Sequence, residues 1–435
     1  MIAVTRKIAV KCLIRIEKGG YSNLVLKQEL SSEISDRDRA FCCTVVYGTL
    51  SRQITIDHFL DRFLKHGTAK LDEEVRAILR SAFYQIFWMD SVPARAAVNE
   101  AVELCRCFKK SSAASLVNAV LRKCSALNME SELDSLGADE QSISIKYSIH
   151  PRLAGLLKNQ YCGSAEQVFN SLFDIPRTFC RVNTLKTDEN ALLEELSSNG
   201  MSVKKSSLES CFEADCGVGR LKKYLDGGFI RIQSFPAQFV CSCVDPGSGE
   251  NILDMCAAPG GKTLTIAQEM KNKGHITALD IYENRLELIR SQAQKENVSI
   301  LSCYACDASE FRSDTLFDRI LCDVPCSGYG EIASKPELRN KDPEESKQLP
   351  DIQYGILSNA ASLLKNGGIL VYSTCTVLER ENEKVIDRFL GEHPDFEGIV
   401  ISERPSWTGG RDFEVRFDPC PDCCEGFYVA CLKKV

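Results

Sequence analysis

The 435-residue sequence predicts a multidomain chain: an all-helical bundle, a small α+β unit, and a Rossmann-like α/β domain. Three observations predict it. Apolar residues recur at three- and four-residue spacing through residues 1–125. From about residue 236, strand-like apolar runs alternate with helix-length segments. A glycine-rich turn, Asp254-Met255-Cys256-Ala257-Ala258-Pro259-Gly260-Gly261-Lys262-Thr263, follows the first of those strands.

The helical periodicity is carried by Ile8-Cys12-Ile16, Phe59-Phe63 and Val75-Ile78-Leu79-Phe83. Pro93 stands just before a helix over Ala94–Phe108, with Ala97, Ala101 and Leu104 on one side. These set a helical domain at 1–127. Residues 128–144, rich in Glu, Asp, Ser and Gly, read as a linker. Residues 145–235 mix helices (152–160, 165–173, 189–198) with strands (179–183, 229–233), as a small α+β subdomain does. Residues 236–435 complete the chain. Strands are expected there at 251–255, 275–280, 300–304, 318–322 and 369–373, with helices at 263–273, 283–296, 351–364 and 380–390. Gly274 and Gly367-Gly368 supply helix stops. A last strand at 426–432 has no helix before it and can return antiparallel.

Composition narrows the class. Hydrophobic residues make up 44% and charged residues 26%, as in a soluble globular protein. There is no run of 18 apolar residues, and the N-terminus is amphipathic, so a cytoplasmic location is expected. Twenty-two cysteines in a long chain of this kind read as reduced thiols, with Cys42, Cys43 and Cys322 acting as small buried hydrophobes. Cys420, Cys423 and Cys424, near Cys431, have C-x-x-C spacing without a second paired motif, and the five histidines form no ligand pattern. No metal is expected. The net charge of −7 divides unevenly, since residues 1–130 hold 20 Lys and Arg against 14 Asp and Glu. A basic N-terminal region is compatible with nucleic-acid binding, and charge alone leaves ordinary surface variation equally open.

The glycine-rich turn tests three nucleotide readings. A phosphate-binding P-loop needs glycine five residues before Gly261, and that position is Cys256. A dinucleotide fingerprint needs a third glycine that Gly260-Gly261 lacks. A single nucleoside-type cofactor such as S-adenosylmethionine fits better. Asp280, ending the next strand, can accept both hydroxyls of a ribose, and Asp307 follows the third strand within reach of an adenine amino group.

Two cysteine motifs lie downstream, Asp323-Val324-Pro325-Cys326 and Ser373-Thr374-Cys375-Thr376. Both follow strands that are neighbours in a typical sheet of this class. Taken singly, either cysteine could be a packing residue. Together, at strand ends and with Asp323 beside them, they suggest nucleophilic chemistry on a bound base. Cytosine carbon 5 is a poor nucleophile; a thiolate added to carbon 6 turns it into an enamine carbon able to attack a methyl sulfonium. That addition needs charge stabilisation at ring nitrogen 3, which a carboxylic acid can provide.

At these residues the chain resembles the RNA 5-methylcytosine methyltransferases of the RsmB (Sun/Fmu) type. The likeness is carried by CAAPGGKT (Cys256–Thr263), DVPCSG (Asp323–Gly328), YSTCT (Tyr372–Thr376), RVNTLK (Arg181–Lys186), ENE (Glu381–Glu383) and GFYVACLKK (Gly426–Lys434). VPARAAVNEAVEL (Val92–Leu104) and LVNAVLRK (Leu116–Lys123) are similar to the NusB-like domain fused to such enzymes. The resemblance implies a class I methyltransferase domain with a mostly parallel seven-stranded sheet. It implies Cys375 as nucleophile and Cys326 as the residue that helps release product. Cofactor contacts carry over to Cys256, Ala257, Ala258, Pro259, Gly260, Gly261, Lys262, Asp280, Arg285, Asp307 and Asp323. The implied substrate is 16S ribosomal RNA, naked or in an early particle, at cytosine 967. The implied enzyme is a monomer without metal or membrane attachment. One departure is that Ser148-Ile149-His150-Pro151 is followed by Arg152-Leu153 rather than by the tryptophan frequent in the family. The alternatives are another rRNA or tRNA cytosine, or a catalytically silent RNA-binding or assembly factor. Intact Cys326 and Cys375 argue against the silent factor.

Overall fold

The computed structural model describes residues 4–30, 34–420 and 425–435, and the chain forms two compact units. The first comprises residues 1–173 together with 332–345, the second 174–331 together with 346–435.

Helices fill the first unit: Val4–Glu17, Ser22–Glu29, Asp36–Ser51, Gln53–Asp61, Glu73–Trp88, Ala94–Cys107 and Ala114–Cys124 lead, and among the described residues Met129–Asp134, Glu140–Tyr147, Pro151–Tyr161 and Ala165–Ser171 follow. Their periodic faces form the core. The helix Glu73–Trp88 buries Val75, Ile78, Leu79, Ala82 and Phe83, which meet Val10, Val46, Phe59 and Leu60. The Ser35 hydroxyl caps Asp36–Ser51 by accepting the Asp38 amide at 3.2 Å. The expected linker is itself helical, at Met129–Asp134 and Glu140–Tyr147. Asp139 caps the second of these by accepting two amides, so the polar composition there marks a cap rather than open chain.

Residues 145–173, expected in the α+β subdomain, therefore belong to the helical unit. What holds them is a segment from far down the chain. Arg339 is fully buried and donates to the carbonyls of Tyr147 (2.9 Å) and Leu172, with its guanidinium 4.4 Å from the Phe173 ring centre. Burial lowers the pKa of this guanidinium to about 9.

The second unit holds two sheets. Strands β1 (Phe179–Val182), β2 (Val203–Lys205), β3 (Cys211–Ala214) and β4 (Ile230–Ile232) form an antiparallel sheet in the order β2-β3-β1-β4. The larger sheet contains β5 (Asn251–Asp254), β6 (His275–Asp280), β7 (Leu301–Ala305), β8 (Phe317–Asp323), β9 (Leu364–Thr374), β10 (Phe396–Gly398), β11 (Glu414–Phe417) and β12 (Phe427–Lys434). Its order is β10-β12-β9-β8-β5-β6-β7, with β11 on β12. The eighth strand, β11, adds to the seven expected. β5 to β9 pair in parallel, and β12 runs antiparallel against β9. Chain order reverses between β5 and β8, which opens a ligand crevice at the carboxyl ends of those strands.

The RVNTLK motif joins the two sheets. Arg181 pairs with Glu269 at 3.1 Å, and Asn183 donates to the carbonyls of Gly228 and Glu296. Arg231 adds a 2.6 Å ion pair to the buried Glu296 and donates to Thr265. Among the described residues, no helix is long and apolar enough to cross a membrane.

Candidate active site

Apart from Asp307, which follows β7, the expected site residues lie along the carboxyl edge of β5, β6, β8 and β9, at the strand ends or in the segments that follow them. Asp254 ends β5 and is 1% exposed. Its Oδ2 accepts the Thr263 hydroxyl at 2.7 Å, while Oδ1 has no hydrogen-bond partner. Burial raises the pKa of this carboxyl to about 7, against the lowering effect of the Thr263 bond. The turn that follows is pinned by the Ala257 amide on the Leu279 carbonyl (2.7 Å) and the Gly260 amide on the Ala257 carbonyl (2.8 Å). Gly260 has φ +101°, and a Cβ there would lie 3.1 Å from Ile289. Glycine is required at this position both for its conformation and for space.

Asp280 ends β6 and is buried; it accepts the Tyr282 amide at 3.0 Å and pairs with Arg285 at 3.1 Å. Arg285 also donates to the Ala258 carbonyl at 2.8 Å, clamping the glycine-rich turn to Asp280. Asp307 is exposed beyond β7, where it accepts the Ser309 amide and hydroxyl. It is the expected contact most separated from the others, because β6 and β5 stand between β7 and β8.

Lys262 reaches Asp323 rather than a phosphate position. Its Nζ lies 2.7 Å from Asp323 Oδ2 and 5.0 Å from the Phe427 ring centre. Burial opposes this ammonium, but the charge of Asp323 and the bond to it raise its pKa above the ordinary lysine value. The other Asp323 oxygen accepts the Ser373 hydroxyl at 2.8 Å.

The two thiols meet. β8 and β9 are parallel neighbours with Asp323 opposite Ser373, which sets the loops after them side by side. Cys326 Sγ lies 3.3 Å from Cys375 Sγ, both are free thiols, and both are half-buried. Cys375 Sγ also donates to Glu331 Oε2 at 3.2 Å. Sequence reasoning did not single out Glu331; only its position five residues after Cys326 could have drawn attention to it.

The ENE motif fixes both loops from beneath. Buried Glu381 accepts the Ser327 amide at 2.8 Å and the Gln353 side-chain amide at 3.1 Å, and Gln353 also donates to the Pro325 carbonyl. Burial raises the pKa of the Glu381 carboxyl above its usual value despite these donors. Asn382 serves the other loop, accepting the Thr374 hydroxyl at 2.6 Å and donating to the Thr376 carbonyl at 3.0 Å. A Ser327–Thr376 hydroxyl contact of 2.8 Å ties one loop to the other. Cys423 and Cys424, of the C-x-x-C run, lie outside the described residues.

A Rossmann-like sheet whose strand order reverses at β5 and β8, with a thiol pair on the loops after β8 and β9, is an arrangement that a methyltransferase can use. The comparisons give the family. The profile of the 16S rRNA methyltransferase RsmB/F family matches residues 241–433, and that of the NusB family matches residues 3–126. The chain is 36% identical over 99% of its length to the probable ribosomal RNA small subunit methyltransferase B of Bacillus subtilis, covering 98% of that protein. It is 30% identical to the corresponding protein of Synechocystis, with 96% of each chain covered. Among solved structures, a methyltransferase homologue from Pyrococcus horikoshii superposes with a TM-score of 0.61 at 27% identity, over 69% of this chain and all of that one. The crystal structure of PH0851 shares the fold over 100% of this chain and 99% of that one, with a TM-score of 0.85 at 24% identity. The chain belongs to the RsmB/F family of ribosomal RNA small subunit methyltransferases.

Proposed function

We propose that this enzyme methylates carbon 5 of a cytosine in 16S ribosomal RNA, using S-adenosylmethionine, through a covalent adduct on Cys375. The observation that carries the reading is the 3.3 Å approach of Cys326 and Cys375 beside an Asp323 held by Lys262. The crevice residues fit the cofactor: a glycine at φ +101°, a partnerless Asp254 oxygen, and the Asp280 carboxylate at a strand end. Cys256 to Lys262, Asp280, Arg285, Asp307 and Asp323 would hold it. When bound, it supplies an electrophilic methyl group.

Each protein group then has one task. Glu331 takes the proton of the Cys375 thiol that points to it, and the thiolate adds to carbon 6 of the base. As the thiolate adds, a proton relayed from the Lys262 ammonium through the Asp323 carboxylate, 2.7 Å away, neutralises nitrogen 3, and it returns when the adduct breaks down. After methyl transfer a base, or a water held by these groups, removes the proton from carbon 5. Cys326 then assists departure of the Cys375 thiolate. The helical domain would select the RNA. The finer assignment, cytosine 967, comes from family resemblance; action in the cytoplasm rests on hydropathy and the amphipathic N-terminus, and a monomeric state is part of the proposal.

The test is transfer of a radiolabelled methyl group to unmethylated small-subunit RNA, followed by bisulfite mapping of the product. Label at carbon 5 of one cytosine supports the reading. Wild-type protein that labels no RNA, or a Cys375→Ala variant with full activity, overturns it.

A further inference from the structure

Outside the crevice, the second unit carries a groove of about 280 Å³ that contains none of the residues assigned above. We infer that this groove docks one nucleotide of single-stranded RNA flanking the target base; the inference rests on RNA being the substrate.

Its walls combine aromatic rings with cations. Phe179, Phe235 and Trp407 supply the rings, and Arg177, Lys204 and Lys205 supply the charge. Among the described residues, Glu213 is the only acid in the lining. Trp407 is 36% exposed although its ring rests 6.2 Å from Phe235 and 5.5 Å from Phe417. An indole braced from behind on two rings, with part of its surface open to water, is a ready stacking platform. Phe179 adds a second ring, 5.7 Å from Phe235. Arg177 and Lys205 are partly neutralised, by Glu213 at 3.7 Å and Glu189 at 3.0 Å. Lys204 is exposed at the groove. Cations around a half-open aromatic surface match a phosphate and a base, the combination that single-stranded nucleic acid presents. At this volume the groove sits at the low end for enclosed small-molecule pockets, and it suits one base better than a whole cofactor.

The groove also connects to the catalytic edge. Trp407 packs on Phe417, Phe417 pairs with Phe427 across β11 and β12, and Phe427 carries the Lys262 ammonium that holds Asp323. The row is buried, with Phe417 and Phe427 at 0% and 5% exposure, so it braces the groove against that edge rather than forming the path of the RNA strand.

Trp88 is the only other tryptophan in the chain, so Trp407 can be observed alone in a full-length Trp88→Phe background. Titration with single-stranded oligocytidylate is expected to quench Trp407 fluorescence, and added salt to reverse the quenching. Trp407→Ala and Lys204→Glu are each expected to raise KM for small-subunit RNA about tenfold with kcat within about twofold, as loss of a docking contact does. Trp407→Phe keeps a stacking ring and should restore most of that KM, which separates stacking from misfolding. Absent quenching, or groove variants with wild-type KM in an enzyme that does methylate RNA, would overturn the inference. So would quenching by polyglutamate and not by oligocytidylate, which would point to an acidic protein partner. Quenching by oligocytidylate in a protein that methylates no RNA would leave the groove standing and remove the proposed reaction instead.

Discussion

Cysteines in the helical unit and cysteines at the catalytic edge share a side chain and little else. Cys12, Cys42, Cys105 and Cys124 are 0% exposed in the helical core, where they pack as small apolar groups. Burial pushes the Cys124 thiol up to about 12, which leaves it inert at neutral pH. Cys326 and Cys375 instead sit on loops at strand ends, half-buried, against each other and against Glu331. In a chain with 22 cysteines, surroundings rather than number single out the two thiols proposed to react.

Removal of the proposed nucleophile should break the comparison most sharply. Cys375→Ala is expected to lower methyl transfer on the order of 10⁴-fold or more while leaving the melting temperature near that of wild type. A radiolabel assay beside a thermal melt checks both.

The next effect concerns the poised carboxyl at the end of β5. Asp254 keeps its proton in the folded protein up to about pH 7, whereas the unfolded chain releases it near the ordinary aspartate value. Its burial as a neutral acid carries no ionisation penalty at low pH. Stability is then lost as pH rises through the window between those two values, and it levels off above pH 7. Asp254→Asn should therefore gain a few kcal/mol over wild type above pH 7 and nothing near pH 3, since each tenfold change in proton affinity is worth about 1.4 kcal/mol. Denaturant titrations at the two pH values would show it.

Glu381→Ala tests whether the clamp under the Cys326 loop positions rather than reacts. Loss of the acceptor for Ser327 and Gln353 is expected to cost about 100-fold in kcat through misplacement of the loop. Glu381→Gln, which can still accept those bonds, should recover most of it, a result that a proton-transfer role would not give. The smallest effect belongs to the helical core. Cys124→Ser should destabilise by about 1–3 kcal/mol by burying a hydroxyl, with kcat unchanged in the folded enzyme.

The strand ends that carry the candidate site were legible in the sequence because apolar runs alternate there with helix-length segments. The expected strand 318–322 became β8 at Phe317–Asp323, and 275–280 became β6 unchanged. Periodicity also found the helices, since their buried faces recur every three or four residues. It did not show that residues 332–345 return to the helical unit, because Arg339 is an ordinary polar residue in sequence and only the distant carbonyls of Tyr147 and Leu172 give it a reason to be buried. Glu331 was missed on similar grounds: its partner, Cys375, lies 44 residues away on a different strand end. β11 is short and pairs only with β12, beyond an irregular stretch of chain, so no local pattern announced the eighth strand.

The unequal roles proposed for the two close thiols can be tested directly. A Cys326→Ala enzyme incubated with small-subunit RNA and S-adenosylmethionine should accumulate a covalent RNA–protein complex that survives a denaturing gel. Mass-spectrometric mapping of that complex should place the RNA on the peptide containing Cys375. RNA attached to any other cysteine, or no complex from an enzyme whose turnover is lost, would contradict the assignment.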